Sequence, residues 1–263
     1  MPQDDTGVAP LAQDELEKRL SGPRTFDGAL FAADLALDDL DFSHAQFSRC
    51  LFDAVTVRDA DFSGATLTGC RFVRARFAGC AFVETQFAKC QFFDAEAKKG
   101  CEFARCELRS AGIVDCNFAS TSFERCDFHD VRASESSFRG ARFKGSHFDR
   151  QVSRKVALHK AAFRNCNFSY ADLSSLSLRT CELTACKFLE TIFWDADLTD
   201  AVLKGSDIDR AEWDRAHLSG ANLEGAFISG LNLALLADYD GLIVSQGQQH
   251  ALLREIGVDV RPD

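Results

Sequence analysis

Eleven cysteines are the side chains of this sequence best suited to chemistry. Thiolates ligate metals, close disulfides and attack electrophiles, and each use has its own spacing. The cysteines stand at 50, 70, 80, 90, 101, 106, 116, 126, 166, 181 and 186, and no C-x2-C pair occurs among them. They follow a five-residue grid instead, always two positions before a large apolar residue or its equivalent. A residue that recurs on a structural grid reads as a small, polarizable core side chain. The six histidines (His44, His129, His147, His159, His217 and His250) are scattered and form no ligand pair. Phosphate-cradling motifs are absent. No catalytic constellation emerges, so the chain is expected not to be an enzyme and to need no metal or cofactor.

The grid belongs to the elements that must carry these residues. Phe or Leu recurs at every fifth position in three runs: Leu37 to Phe92, Phe103 to Phe148, and Phe163 to Leu233. Twenty of the 24 Phe sit in this slot. Two residues earlier lies a second slot holding Ala, Cys or Thr, as in Ala45, Cys50, Ala60, Thr85 and Cys90. The other three positions are mainly polar. A helix smears a five-residue period around its axis, and a flat strand flips face at each step. A chain that turns a corner once per unit can point both slots inward every time and pair with the coils above and below.

The motif appears as ADFSG at 60–64, ADLTD at 196–200 and ANLEG at 221–225. It resembles the pentapeptide-repeat family. The resemblance implies an all-β fold, a right-handed quadrilateral β-helix with four units per coil, a short N-terminal helix and a C-terminal capping and dimerisation helix. The expected organisation is a polar segment and capping helix over 1–28, the β-helix over 29–236, and a helix and tail over 237–263. At ~4.8 Å per coil, the rod is on the order of 50 Å long. Leu11, Leu16 and Leu20 suggest the N-terminal amphipathic cap. Residues 245–256 read as the C-terminal helix, with Leu252, Leu253 and Ile256 as its stripe and Gly257 as its stop. That stripe packs on the last coil or, as the resemblance implies, forms a homodimer.

Two interruptions break the grid. From Phe92 to Phe103 the spacing is eleven, and from Phe148 to Phe163 it is fifteen without a full set of inward residues. Loops are expected at 93–100 and 149–160, with Leu158 able to point inward as one surviving unit. Insertions in solenoids cost little, yet loops on rigid scaffolds often carry function. Residues 90–108, 167–183 and 251–258 resemble the Qnr quinolone-resistance proteins, whose projecting loops protect bacterial type II topoisomerases. The resemblance implies partner-binding roles for Phe93, Asp94, Glu96, Lys98, Lys99 and Gly100 in the first loop. In the second it implies them for Asp149, Arg150, Arg154, Lys155, His159 and Lys160. The loop sequences match those relatives only in part, and a longer N-terminal stretch precedes them here.

The formal net charge is −10, which disfavours ordinary phosphate binding and suits basic partners. Acids gather as Glu190, Asp195, Asp197, Asp200, Asp207, Asp209, Glu212 and Asp214, and again as Asp34, Asp38, Asp39, Asp41, Asp53, Asp59 and Asp61. Arg71, Arg74 and Arg76 break the acidic surface between them. DNA carries one charge per ~1.7 Å, so a ~50 Å rod imitating it needs about 30. Ten net charges allow partial DNA mimicry only. The sequence has no apolar run long enough to span a membrane and no secretory leader pattern at its start, so a cytoplasmic setting with reduced thiols is expected. The expected partner is DNA gyrase or topoisomerase IV, with no direct nucleic-acid or membrane contact. The alternative is a non-enzymatic interaction scaffold, such as an accessory or immunity factor of a secretion or toxin system.

Overall fold

Each five-residue unit forms one side of a right-handed, four-sided coil in the computed structural model, which describes residues 8–153, 156–259 and 261. Successive coils pair in parallel, with Gln46 opposite Thr66 and Thr66 opposite Gln86. This second side of the coil is an eight-stranded parallel sheet, continued by the bridges Glu182↔Val202 and Val202↔Asn222. The third side runs through Leu51, Arg71, Gln91 and Asn117. The fourth runs through Thr56, Arg76, Glu102, Ser122 and Arg142. The first side is carried by single bridges, Asp41↔Asp61↔Ala81↔Glu107↔Asp127↔His147.

The fifth-residue slot fills the core. On the third side Phe52, Phe72, Phe92 and Phe118 stack with ring centroids 4.6, 4.3 and 4.1 Å apart. On the fourth, Phe77, Phe103, Phe123 and Phe143 stack at 5.1, 5.2 and 5.0 Å. All eleven cysteines are free and buried. Most of their thiols donate to carbonyls of the coil below, as from Cys90 to Leu67 O at 3.3 Å. Thr85 and Ser206 do the same with their hydroxyls, each at 2.7 Å. One inward column on the third side runs Cys50, Cys70, Cys90, Cys116, Ser136, Cys166, Cys186 and Ser206. Burial pushes Cys101 and Cys181 up to about 12. None of the eleven thiols should react with a thiol-exchange reagent in the native protein near neutral pH, and all should react in denaturant. Cys186→Ser should shift stability by less than ~1.5 kcal/mol, because Ser136 and Ser206 already occupy its column.

The second residue of the ADFSG-type motif closes the corner. Asp61, Asp127 and Asp197 each accept a bond from the backbone N–H two residues on, at 2.8, 2.9 and 3.0 Å. Asn117 and Asn222 do the same at 3.0 Å. Asp and Asn are therefore equivalent here, and these carboxylates shape the coil before they serve any partner. Two residues after most of the large apolar residues, the chain enters the left-handed region, as at Arg49 (φ 52°) and Asp200 (φ 57°). Stacking of coil on coil holds these non-glycine residues there.

The coil begins earlier than the five-residue runs indicate. Phe26 and Phe31 are fully buried, and Thr25 pairs with Gln46 in a coil one residue longer than the others. That extra residue hid both Phe from a fixed period. A strand at Ala9–Pro10 pairs with Ala29 and Leu30. Helix α1, Gln13–Leu20, then covers the open end with Leu11 and Leu16 buried. At the other end Leu231 is buried and Leu233 lies half-buried in a 3-10 turn, Leu233–Leu235. The expected helix over 245–256 is a 3-10 turn, Gln246–Gln248, followed by α2, Gln249–Glu255. Gln248 is buried and donates to Leu223 O and Ala226 O at 2.8 and 2.7 Å, satisfying carbonyls of the last coil.

Candidate functional site

The two grid interruptions project from the coil as antiparallel hairpins. Eleven residues separate Gln91 from Glu102 where five complete a side. A whole unit plus one residue is therefore extruded, although both flanking coils stay in register. In the first hairpin, Phe93–Asp94 pairs with Lys99–Gly100. Asp94 caps its turn, accepting from Glu96 N and Ala97 N at 3.0 and 3.1 Å. Residues Ala95 to Lys99 are exposed, while Phe93 and Asp94 are half-buried. Lys99 and Arg76 flank Glu102 at 3.0 and 3.1 Å and hold its carboxyl below the usual carboxylate range.

Gly100 is buried where the hairpin returns to the coil. A Cβ there would lie 2.4 Å from Thr121 N and 2.5 Å from Ala119 O, both backbone atoms of the next coil. Gly100→Ala must lift the hairpin base off that coil. The variant should keep a folded rod, with a melting temperature lowered by roughly 5 °C and increased protease cleavage confined to the hairpin.

The second hairpin pairs Asp149–Ser153 with Val156–His159, with Asp149 opposite His159 and Arg150 opposite Leu158. Leu158 thus belongs to a hairpin arm, and the backbone around it does not form a coil side. Here the coil passes directly from His147 to Ala162, so its register is kept by extruding two whole units. Arg154 and Lys155 lie outside the described residues. Lys160 is exposed at the hairpin base, with its ammonium 3.3 Å from Asp130. The first hairpin leaves between the third and fourth sides, the second between the first and second. They occupy opposite corners of the square, between two and three coils apart, roughly 12 Å along the rod.

The eight acids of 190–214 are distributed around the coil. Asp197 lies on the first side, Asp207 on the third and Glu212 on the fourth, with the other five at corners. Several are already paired: Asp195 with Arg215 at 2.7 Å, Glu190 with Arg210 at 2.9 Å, and Asp197 with Arg179 at 3.1 Å. In the first coils Arg24 and Ser43 hold Asp41 down to about 2, while Asp38 and Asp53 pair with Arg58 and Arg74.

Exposed apolar surface gathers at the carboxyl end. Phe227, Leu235, Tyr239, Ile243, Ile256 and Val258 are all exposed, Phe227 at 69%. Leu252 is buried against its own chain, Leu253 is half-buried, and Ile256 faces out. The expected stripe is thus divided between the last coil and the surface. Among the described residues no helix is long and apolar enough to cross a membrane, and no group of His, Cys, Asp and Glu could hold a metal.

The fold is shared with solved structures. QnrB1, a plasmid-mediated fluoroquinolone resistance protein, is 22% identical in a trypsin-treated form, with a TM-score of 0.63 over 89% of this chain and all of that one. The full-length QnrB1 structure gives 0.57, also at 22% identity, over 87% of this chain and 100% of its own. HetL, a protein of heterocyst differentiation regulation from the cyanobacterium Nostoc sp. strain PCC 7120, is 17% identical, with a TM-score of 0.51 over 89% of this chain and 92% of its own. No curated protein sequence matches the chain. The family model for pentapeptide repeats matches eight copies, at residues 57–92, 111–150, 177–212 and 196–233. The unmatched stretches between them contain most of both hairpins. On its repeat, its coil and this match, the chain belongs to the pentapeptide-repeat family.

Proposed function

We propose that this chain is a non-enzymatic binding protein that engages a bacterial type II topoisomerase, DNA gyrase or topoisomerase IV, and protects it from quinolones or a related poison. The observation that carries this reading is the pair of hairpins extruded whole from an otherwise continuous coil. A folding rod does not need them, since Phe92 stacks directly on Phe118, and Phe77 on Phe103, past the first insertion. Their side chains, Glu96, Lys98 and Lys99 in the first and Lys160 at the base of the second, are exposed polar groups on a rigid mount. Fold likeness to QnrB1 and the residue resemblance at 90–108, 167–183 and 251–258 support the same partner class.

In this reading the hairpins reach the cleavage complex, while exposed Asp200, Glu212 and Asp214 meet basic enzyme surface. Two copies join through the apolar carboxyl end, which explains why Phe227, Ile243 and Ile256 remain exposed. The setting is the cytoplasm, where the target enzymes act. Biolayer interferometry with purified gyrase holoenzyme tests the binding step. Saturable binding with a micromolar or tighter constant is expected, weakening with salt. No binding at ~50 μM protein would remove gyrase as the partner.

A further inference from the structure

Net charge conceals a basic block on one part of the rod. Arg142 stands on the fourth side, Arg105, Arg125 and Lys144 on its far corner, and Arg139 with the first hairpin's Lys98 on its near corner. All six are exposed. The far-corner residues are stacked directly, since Arg105 N donates to Glu124 O and Arg125 N to Lys144 O. Like charges on adjacent coils ~4.8 Å apart repel, so folding does not favour the arrangement. Several arginines elsewhere take a carboxylate from a neighbouring coil, as Arg49 with Asp27, Arg74 with Asp53, Arg164 with Glu182 and Arg215 with Asp195, while the exposed Arg71 stands singly on the third side. Among the described residues none of these six has an ion-pair partner. Among the described residues Glu124 and the first hairpin's Glu96 lie near them without an ion pair, while Glu102 is held by Lys99 and Arg76.

The block borders an open groove of about 500 Å³, floored by Ser120, Ser122, Gly140 and the hairpin base at Gly100. None of the exposed large apolar residues lines it. A protein partner needs an apolar centre to bind against. A phosphate backbone needs only cations and hydrogen-bond donors, with arginine the best of them.

We propose that this groove and its flanking corners form a docking surface for the phosphate backbone of double-stranded DNA, bound without sequence preference. The acidic remainder of the rod limits the affinity and confines contact to this block. The proposal stands apart from the topoisomerase reading, because the protein alone is tested.

Fluorescence anisotropy with a labelled mixed-sequence duplex of about 20 bp reads it directly. Micromolar binding is expected at about 25 mM salt, with log affinity falling against log salt at a slope of about −4, as for about four neutralised phosphates. Arg125→Glu with Arg142→Glu should weaken binding at least about tenfold and flatten the slope by roughly two. Arg71→Glu with Lys187→Glu, the same charge change on the third side, should alter affinity less than about twofold. Every substituted residue is exposed, so both variants should melt with the wild type. The proposal is overturned by no binding at about 100 μM protein in about 25 mM salt, or by equal weakening in the two variants. Tighter binding of polyglutamate than of duplex would also overturn it, assigning the groove to an acidic protein segment.

Discussion

Deleting residues 95–100 should weaken protection of gyrase at least about tenfold and leave the rod folded. The deletion joins Asp94 to Cys101 and restores a five-residue step from Phe92 to Phe103. Cys101 keeps its inward slot, donating to Phe72 O at 3.3 Å. Asp94 takes the corner position where Asp59, Asp195 and Asp200 already adopt positive φ. The Phe stacks on both sides are untouched, so the melting temperature should stay within about 5 °C of the wild type. The concentration needed for half-maximal protection should rise at least about tenfold, a loss of roughly 1.4 kcal/mol or more of interaction. Deleting 151–160 applies the same logic to the second hairpin, joining Arg150 to Ala161 in register. Either deletion retaining full protection, with the fold intact by circular dichroism, would strip that hairpin of its proposed role.

Phe118→Ala should be the most damaging single substitution in the core. Its ring is fully buried, 4.1 Å from Phe92 and 5.4 Å from Phe138, with Phe87, Phe103 and Phe123 at 6.3, 6.4 and 5.8 Å. It sits one coil beyond the first hairpin, where its stack on Phe92 adds to the Gln91↔Asn117 bridge in spanning the insertion. Truncation should cost about 3–5 kcal/mol and lower the melting temperature by roughly 10 °C. The coil is close-packed along its axis, so relaxation around the cavity is limited. Phe138→Leu, which keeps much of the volume, should cost less than half as much. Thermal melts by circular dichroism decide both, and a loss below about 1 kcal/mol for Phe118→Ala would contradict the stacked-core account.

The coil was legible because one physical demand repeats: a large apolar residue and a small one must point inward on every side. The cysteines followed from the same demand, and their burial and free thiols need no further chemistry. What a fixed period could not find was any place where the coil changes length. A fixed period passes over Phe26 and Phe31 because one extra residue shifts their phase, and it offers Leu158 a coil side although its backbone belongs to a hairpin. The sequence marked where the hairpins leave the coil, but the first hairpin's return to it depends on Gly100 meeting a backbone roughly twenty residues away. The basic block was hidden for a related reason. Lys98, Arg125 and Arg142 are dispersed in a chain of net charge −10, and only coiling brings them together. Conversely, acids that look like one face in sequence are spread around the square, and Asp197 and Asp207 are engaged in closing corners.

The central claim is protection of a type II topoisomerase, and a supercoiling assay tests it most directly. Gyrase is inhibited by a fluoroquinolone on relaxed plasmid, and the purified chain is titrated in. Restoration of supercoiling at micromolar protein, lost on deletion of 95–100, is the predicted result. Unchanged inhibition across the titration, with a folded chain, would contradict the account.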